Sequence, residues 1–167
     1  MRYHSGLILL AVGALACGGR SGPAAPAPLG HVPIEARLLY DNGGGVRDSG
    51  QIVIRDAETL RRVWTQATST QSTPPAAPEV DFQRQMLLLV SSGRMSPDAE
   101  IHVDSVGARR ERTADGREQE VLAVQFTITE GCRRFNRDAY PVEIVRIRRY
   151  DGEVRFHGRR ERASGCQ

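Results

Sequence analysis

Residues 121–129 read VLAVQFTIT, the most regular alternation in the chain. Leu122, Val124, Phe126 and Ile128 fall on one side of an extended backbone, and the residues between them fall on the other side. A two-residue period is typical of a β-strand with one face in a core. We therefore predict a strand here and work outward to the segments that pack against it.

A second apolar segment lies upstream of this strand. Residues 85–91 contain the run MLLLV, which is apolar at every position and indicates a central strand covered on both faces. Strand patterns also occur at residues 34–40, 51–55 and 100–109. The sequence DNGGG at 41–45 is interpreted as a turn rather than a phosphate-binding loop, because a strand and not a helix follows it.

One helix is predicted over about residues 56–69, with Asp56 as its N-cap. Its apolar positions follow three- and four-residue spacing, which predicts one buried stripe with Trp64 as a core anchor. Near the C-terminus, residues 140–150 and 153–159 flank Asp151-Gly152, a dipeptide typical of a hairpin turn, so they are predicted to pair. One helix among several strands predicts an α+β fold with a mainly antiparallel sheet or sandwich.

The N-terminus has the pattern of a lipoprotein leader. Arg2 precedes an apolar run at residues 7–16, which is too short for a bilayer-spanning helix of about 20 residues and suits a signal peptide. The tetrapeptide ALAC at 14–17 resembles a lipobox, although the family pattern prefers Leu three residues before the cysteine, where this chain has Ala14. We expect cleavage after residue 16, then diacylglycerol and an acyl chain such as palmitate on Cys17.

The predicted lipid defines the domain organisation. Several acyl chains anchor a protein stably, so we expect an exported protein held at the cell envelope. Gly18 follows the cysteine in place of Asp, which by the sorting rule of enteric bacteria favours the outer membrane over the inner one. Residues 17–33 are rich in Gly and Pro and are predicted to be a flexible tether. A single domain at 34–167 follows.

Cysteine usage predicts one disulfide. Cys132 and Cys166 remain once Cys17 carries lipid, and an even pair in an exported protein favours a bond between them. Two free thiols are the alternative. Two cysteines without a CxxC spacing do not make a metal site, so we expect no metal.

The chain offers few residues for catalysis. HExxH, GxSxG, P-loop and CxxC patterns are absent from the sequence. His102 and Asp104 form an H-x-D pattern, which Ser91 or Ser96 would complete as a Ser/His/Asp triad. A surface histidine beside an aspartate is the simpler interpretation. We therefore expect no enzyme and no cofactor.

All 23 basic residues are arginines, which a GC-rich coding bias explains simply, and the net charge of +3 is too small to predict nucleic-acid binding. The predicted hairpin would bring Arg146 and Arg148 near Arg155 and Arg159. Such a patch suits an anionic lipid headgroup, lipopolysaccharide phosphate or an acidic protein face. A solvated face balanced by neighbouring acids is the simpler interpretation.

Three segments together resemble a known family. VIRDAETLRRVW, VDFQRQMLLLVSSG and YPVEIVRIRRYDGEVRF resemble the C-terminal domain of PrcB-type lipoproteins, and the similarity runs from about Gly50 to Phe156. That family usually has a Gly-Gly-Tyr-like turn after the hydrophobic strand, where this chain has GRMSP at 93–97. The resemblance implies an accessory subunit of a surface protease complex, with no catalytic residues to carry over.

Two functional hypotheses follow. The first is a membrane-tethered, non-catalytic module that binds or stabilises a protein partner, with a surface protease as the candidate. The second is an envelope lipoprotein that binds anionic glycolipid or polysaccharide through the arginine-rich hairpin. The two hypotheses predict different responses to salt, because charge-dominated binding weakens at high ionic strength.

Overall fold

A computed structural model describes residues 30–112, 116–132, 137–164 and 166. Within them the chain forms eight strands and one helix. The predicted signal peptide, Cys17 and most of the predicted tether lie outside the described residues. In chain order the elements are β1 (His31–Val32), β2 (Ile34–Asp41), β3 (Ser49–Ile54), α1 (Ala57–Ala67), β4 (Gln85–Ser92), β5 (Glu100–Arg112), β6 (Glu118–Glu130), β7 (Val142–Arg148) and β8 (Val154–Arg162).

The strands form two four-stranded sheets. The first sheet has the order β1-β5-β6-β8 and the second has the order β2-β7-β4-β3. Every neighbouring pair is antiparallel except β6 and β8, which run parallel. The prediction of a mainly antiparallel α+β sandwich with one helix is confirmed.

The core lies in two layers, one on each face of the second sheet. Between the sheets, Met86, Leu88 and Val90 of β4 pack with the apolar face of β6. On the opposite face, Leu87 and Leu89 pack beneath the helix. The run MLLLV is therefore a central strand buried on both faces, and the alternation of VLAVQFTIT marks the inward face of β6, as predicted.

The helix forms where its capping residue and apolar stripe indicate. Asp56 accepts a hydrogen bond from the Thr59 N–H at 2.7 Å, which satisfies one of the free donors of the first turn. The buried side chains of the stripe are Leu60, Val63, Trp64 and Ala67. The Trp64 indole donates to the Pro75 carbonyl at 2.9 Å, so the proline-rich loop after the helix is held against it.

The predicted C-terminal hairpin is wrong. β7 pairs with β2 and β4 in the second sheet, whereas β8 pairs with β6 in the first. The connection leaves the second sheet where the Arg149 N–H donates to the Arg84 carbonyl, and Arg55 then binds the carbonyls of Tyr150 and Gly152. Asp151-Gly152 therefore lies in a connection between sheets.

The first strand also begins earlier than the predicted start of the domain. His31 and Val32 were assigned to the tether, yet they form β1 against Gly107 and Val106 of β5. Pro33 then separates β1 in the first sheet from β2 in the second. The chain therefore crosses from the first sheet to the second between β1 and β2.

Candidate functional site

The strongest polar constellation is centred on Glu143 of β7. Among the described residues, Glu143 is the one charged residue that is buried, with 1% of its surface exposed. Its Oε2 accepts a hydrogen bond from the Val103 N–H at 2.6 Å, and its Oε1 forms an ion pair with Arg37 of β2. Burial of an unpaired carboxylate is strongly unfavourable, so these partners make the position tolerable.

Arg37 completes the arrangement at the same backbone position. Its Nη2 donates to the Val103 carbonyl at 2.8 Å, while Nη1 contacts Glu143. Both backbone polar groups of Val103 are thus satisfied by an ion pair from the other sheet. Half of the Arg37 side chain remains exposed, so the pair lies at the margin of the core.

The strand pairing explains why Val103 needs such partners. Val103 lies opposite Phe126 in the antiparallel β5–β6 ladder, and Phe126 lies within the ladder between β6 and β8. The Leu122 N–H donates to the Glu153 carbonyl, so the even-numbered residues of β6, including Phe126, direct their N–H and C=O groups toward β8. Val103, opposite Phe126, is therefore left pointing away from β6. Arg37 and Glu143 occupy the position that another strand would take.

Tyr40 and His102 extend the constellation toward solvent. Their rings stack with centroids 5.4 Å apart. The two imidazole nitrogens of His102 lie 3.6 Å from Glu143 Oε1 and 3.6 Å from Glu100 Oε2. Burial and the charges of Glu100 and Glu143 raise the pKa of Tyr40, and the backbone N–H of Ile101 acts in the opposite direction.

A histidine between two carboxylates and beside a tyrosine has the residue types of acid–base catalysis. Here, however, both Glu143 oxygens already contact Arg37 and the β5 backbone. The arrangement therefore acts first as a cover for the β5 edge. Together with β1, whose pairing is extended by the hydrogen bond from the Ala108 N–H to the Gly30 carbonyl at 3.0 Å, it forms what we call the covered edge.

Sequence reasoning did not identify this group. It gave no role to Glu143, Arg37 or Tyr40. The available signal was the segment PVEIVRI, in which a glutamate is flanked on both sides by apolar residues. Its partner could not be read from local pattern, because Arg37 lies 106 positions away.

The Ser/His/Asp triad, which the sequence offered only as the less favoured interpretation, does not form. Asp104 accepts from the Thr127 hydroxyl at 2.6 Å, and the Ser91 hydroxyl donates to the Asp48 carbonyl at 2.9 Å. His102 instead contacts Tyr40 and the two glutamates. Ser96 has no hydrogen bond to His102 within the described part of the chain.

The predicted arginine patch is also divided by the fold. Arg146 and Arg148 lie on the face of the second sheet that carries Ile144, toward the helix side. Arg155 and Arg159 alternate with Val154 and Phe156, which pack toward the core, so they lie on the outer face of the first sheet. The four side chains therefore lie on opposite sides of the molecule, and no single patch contains them.

Most of these arginines have acidic or hydroxyl partners. Arg146 lies 3.6 Å from Glu35, and Arg155 binds Glu111 and Glu153 at 2.9 and 2.7 Å. Arg159 donates to the Thr127 hydroxyl at 3.0 Å. Arg148 has no ion pair with any described residue.

A network of charges crosses the outer face of the first sheet. Glu111 of β5 contacts Arg155 at 2.9 Å, His157 at 3.1 Å and Arg109 at 2.6 Å. Desolvation would raise the pKa of Glu111, but hydrogen bonds from Arg155 and Arg109 outweigh it, and the pKa is lowered overall. The network joins β5 to β8 across β6.

The predicted disulfide is present. Cys132, just after β6, is bonded to Cys166, just after β8, with Cα atoms 5.1 Å apart. The bond therefore fixes the end of β8 to the strand beside it. The predicted lipidation site, Cys17, lies outside the described residues.

No group of three or more His, Cys, Asp or Glu side chains among the described residues is arranged to hold a metal ion. No helix there is long and apolar enough to cross a membrane. Comparison of the chain with protein-family models, curated proteins and solved structures finds no match.

Proposed function

We propose that this chain is an exported lipoprotein whose sandwich domain is a non-catalytic module that binds or stabilises a protein partner. The observation that carries the proposal is that Arg37 and Glu143 bond to each other and to the backbone of Val103. The described part of the chain has one fully buried carboxylate, and its oxygens are occupied by the fold. The polar residues best suited to chemistry therefore serve the architecture.

The N-terminal sequence supports the proposed attachment to a membrane surface. A leader ending in ALAC at 14–17 and a tether rich in Gly and Pro are the features of a protein displayed at a membrane surface through lipid. A tethered domain acts on partners that share its surface, because anchoring raises their effective concentration. The resemblance to PrcB-type lipoproteins makes a surface protease the candidate partner.

Copurification tests the proposal. The tagged full-length lipoprotein is solubilised from its native membranes, washed at high salt, and the proteins that remain bound are identified. We expect a stoichiometric protein to remain, because an interface with an apolar centre resists salt. The Cys17→Ala variant is the control for anchoring and is expected to lose its place in the membrane fraction.

The alternative outcome is equally specific. If no protein remains after the wash, and lipopolysaccharide or acidic lipid is present only before it, the partner-binding proposal is overturned. Charge-dominated binding of an anionic glycolipid would then be the better account.

A further inference from the structure

We propose that the free edge of β8 binds an extended, acidic segment of a partner protein by adding it to the first sheet as a further strand. The inference rests on the proposed function and names the surface and chemistry that would carry it. Strand addition uses main-chain hydrogen bonds for affinity and side chains for selectivity.

Two hydrogen bonds fix which groups of β8 point outward. The Leu122 N–H donates to the Glu153 carbonyl at 2.9 Å, and the Ala163 N–H donates to the Glu130 carbonyl at 2.9 Å. In a parallel ladder, alternate residues bond to the neighbouring strand. The odd-numbered residues of β8 therefore bond to β6, and the even-numbered residues direct their N–H and C=O groups away from it. These outward residues are Val154, Phe156, Gly158, Arg160 and Arg162.

We call these outward groups the open edge. No backbone hydrogen bond from another described residue reaches them. β8 is nine residues long and pairs with β6 without a register shift. A long, regular edge of this kind is a template for a further strand.

The other sheet edges are less suitable. β3 has only six residues, and the pairing of β2 with β7 contains two register shifts. Bulges and short length are both means by which edge strands avoid further pairing. The β5 side of the first sheet is already the covered edge.

The open edge is held in position before any partner arrives. The Cys132–Cys166 disulfide fixes its C-terminal end, and the ion pair between Glu111 and Arg155 fixes its outer face. Gly158 allows the Phe126 ring to pack against the strand, because a Cβ at Gly158 would lie 2.5 Å from that ring. A preorganised edge loses little conformational entropy on binding.

Charge determines the occupant. Residues 154–162 contain four arginines against one acid, Glu161. Arg155 is already paired with Glu111 and Glu153, so the positive excess lies toward the C-terminal end of the strand. Arg162 has no ion pair with a described residue, and the contact from Arg160 to Glu130 is 3.5 Å long. A second copy of the chain would bring two edges of the same sign together, whereas an acidic strand would pair with them favourably.

The test uses the mature full-length protein in detergent and two labelled nine-residue peptides. One peptide alternates Thr with Glu, and its matched control alternates Thr with Arg. Binding is measured by fluorescence anisotropy, and the site by amide exchange in nuclear magnetic resonance spectra. We expect the acidic peptide to bind at least about tenfold more tightly and to protect the outward amides of Val154, Phe156, Gly158 and Arg160.

Two variants at one position separate hydrogen bonding from charge. Arg160→Pro removes an outward N–H and a charge, and we expect binding to weaken about tenfold. Arg160→Ala removes the charge and keeps the N–H, and we expect about threefold weakening. A peptide with N-methylated alternate amides tests the same bonds on the unchanged protein and is expected to lose binding.

Several results would overturn the edge proposal. The outward amides of β8 could show no protection when peptide is added, or they could be protected without peptide because the protein associates with itself. The acidic peptide could bind the Arg160→Pro variant as tightly as wild type, or the acidic and basic peptides could bind wild type with equal affinity. The copurification experiment repeated with Arg160→Pro separates this proposal from the proposed function. A partner retained equally by the variant would overturn strand addition alone. Peptide protection of β8 with no membrane partner would overturn the proposed function alone.

Discussion

The two edges of the first sheet satisfy the same backbone groups in different ways. At the covered edge, Val103 of β5 receives both hydrogen bonds from Arg37 and Glu143. At the open edge, the outward groups of β8 have no backbone partner among the described residues, and the strand is held by a disulfide and by contacts on its faces. The difference follows from burial, because polar groups between two sheets lose water and require protein partners, whereas groups at the margin keep their water.

The largest expected effect on stability comes from removing the disulfide that holds the end of β8. We expect the Cys132→Ser, Cys166→Ser double variant to lose about 4 kcal/mol of unfolding free energy, because the bond closes a loop with a sequence separation of 34. Urea denaturation of the variant and wild type measures the loss. Amide exchange should also become faster at Arg159 and Glu161, whose N–H groups bond to β6.

Wild-type protein treated with a reducing agent is the matched control and should behave like the double variant. An unfolding free energy that changes by less than about 1 kcal/mol, with β8 exchange unchanged, would show that strand pairing alone holds β8.

The covered edge can be broken at its centre. We expect Glu143→Ala to lower the unfolding free energy by about 3 kcal/mol, because it leaves the Val103 N–H and the Arg37 guanidinium without their acceptor. Glu143→Gln keeps the shape and one acceptor, so its loss should be smaller. Equal and negligible losses for both variants in chemical denaturation would contradict this assignment.

Proline substitutions distinguish the two sides of β8. Arg159→Pro removes an N–H that bonds to β6, and we expect a loss of about 2 kcal/mol or more. Arg160→Pro removes an N–H at the open edge, where proline is tolerated, so we expect a loss below about 1 kcal/mol. Thermal and urea unfolding of the two variants measure the contrast. A larger loss for Arg160→Pro than for Arg159→Pro would mean that the even-numbered residues of β8, and not the odd-numbered ones, bond to β6.

Local sequence patterns predicted the features of the fold that depend on neighbouring residues or on which face of a strand or helix is buried. The alternation of VLAVQFTIT gave the inward face of β6, the run MLLLV gave the central strand, and Asp56 gave the start of the helix. The period of apolar residues reports which faces are buried, and it does so without knowledge of the partner strand. These features were therefore accessible from sequence.

Strand partners were less accessible. Asp151-Gly152 is a strong turn signal, yet it carries no information on whether the flanking strands share a sheet. The path is fixed by the bonds from Arg55 to Tyr150 and Gly152, which join positions nearly a hundred residues apart. The covered edge was missed for the same reason, because the Arg37–Glu143 pair forms only when β2 and β7 become neighbours. The arginine patch failed together with the hairpin on which it depended.

The smallest expected effect concerns the charges that join β5 to β8 across β6. The pKa of Glu111 is lowered from its ordinary value of 4.5, so its ion pairs stabilise the folded state above that pH and lose this effect as pH falls through the lowered pKa. We therefore expect Glu111→Gln to be less stable than wild type at pH 7, and the difference to shrink below about pH 4.5. Urea midpoints measured for both proteins between pH 7 and pH 3 provide the comparison. A difference that stays constant over this range would mean that Glu111 contributes through its shape and not its charge, and that β8 is joined to β5 by packing alone.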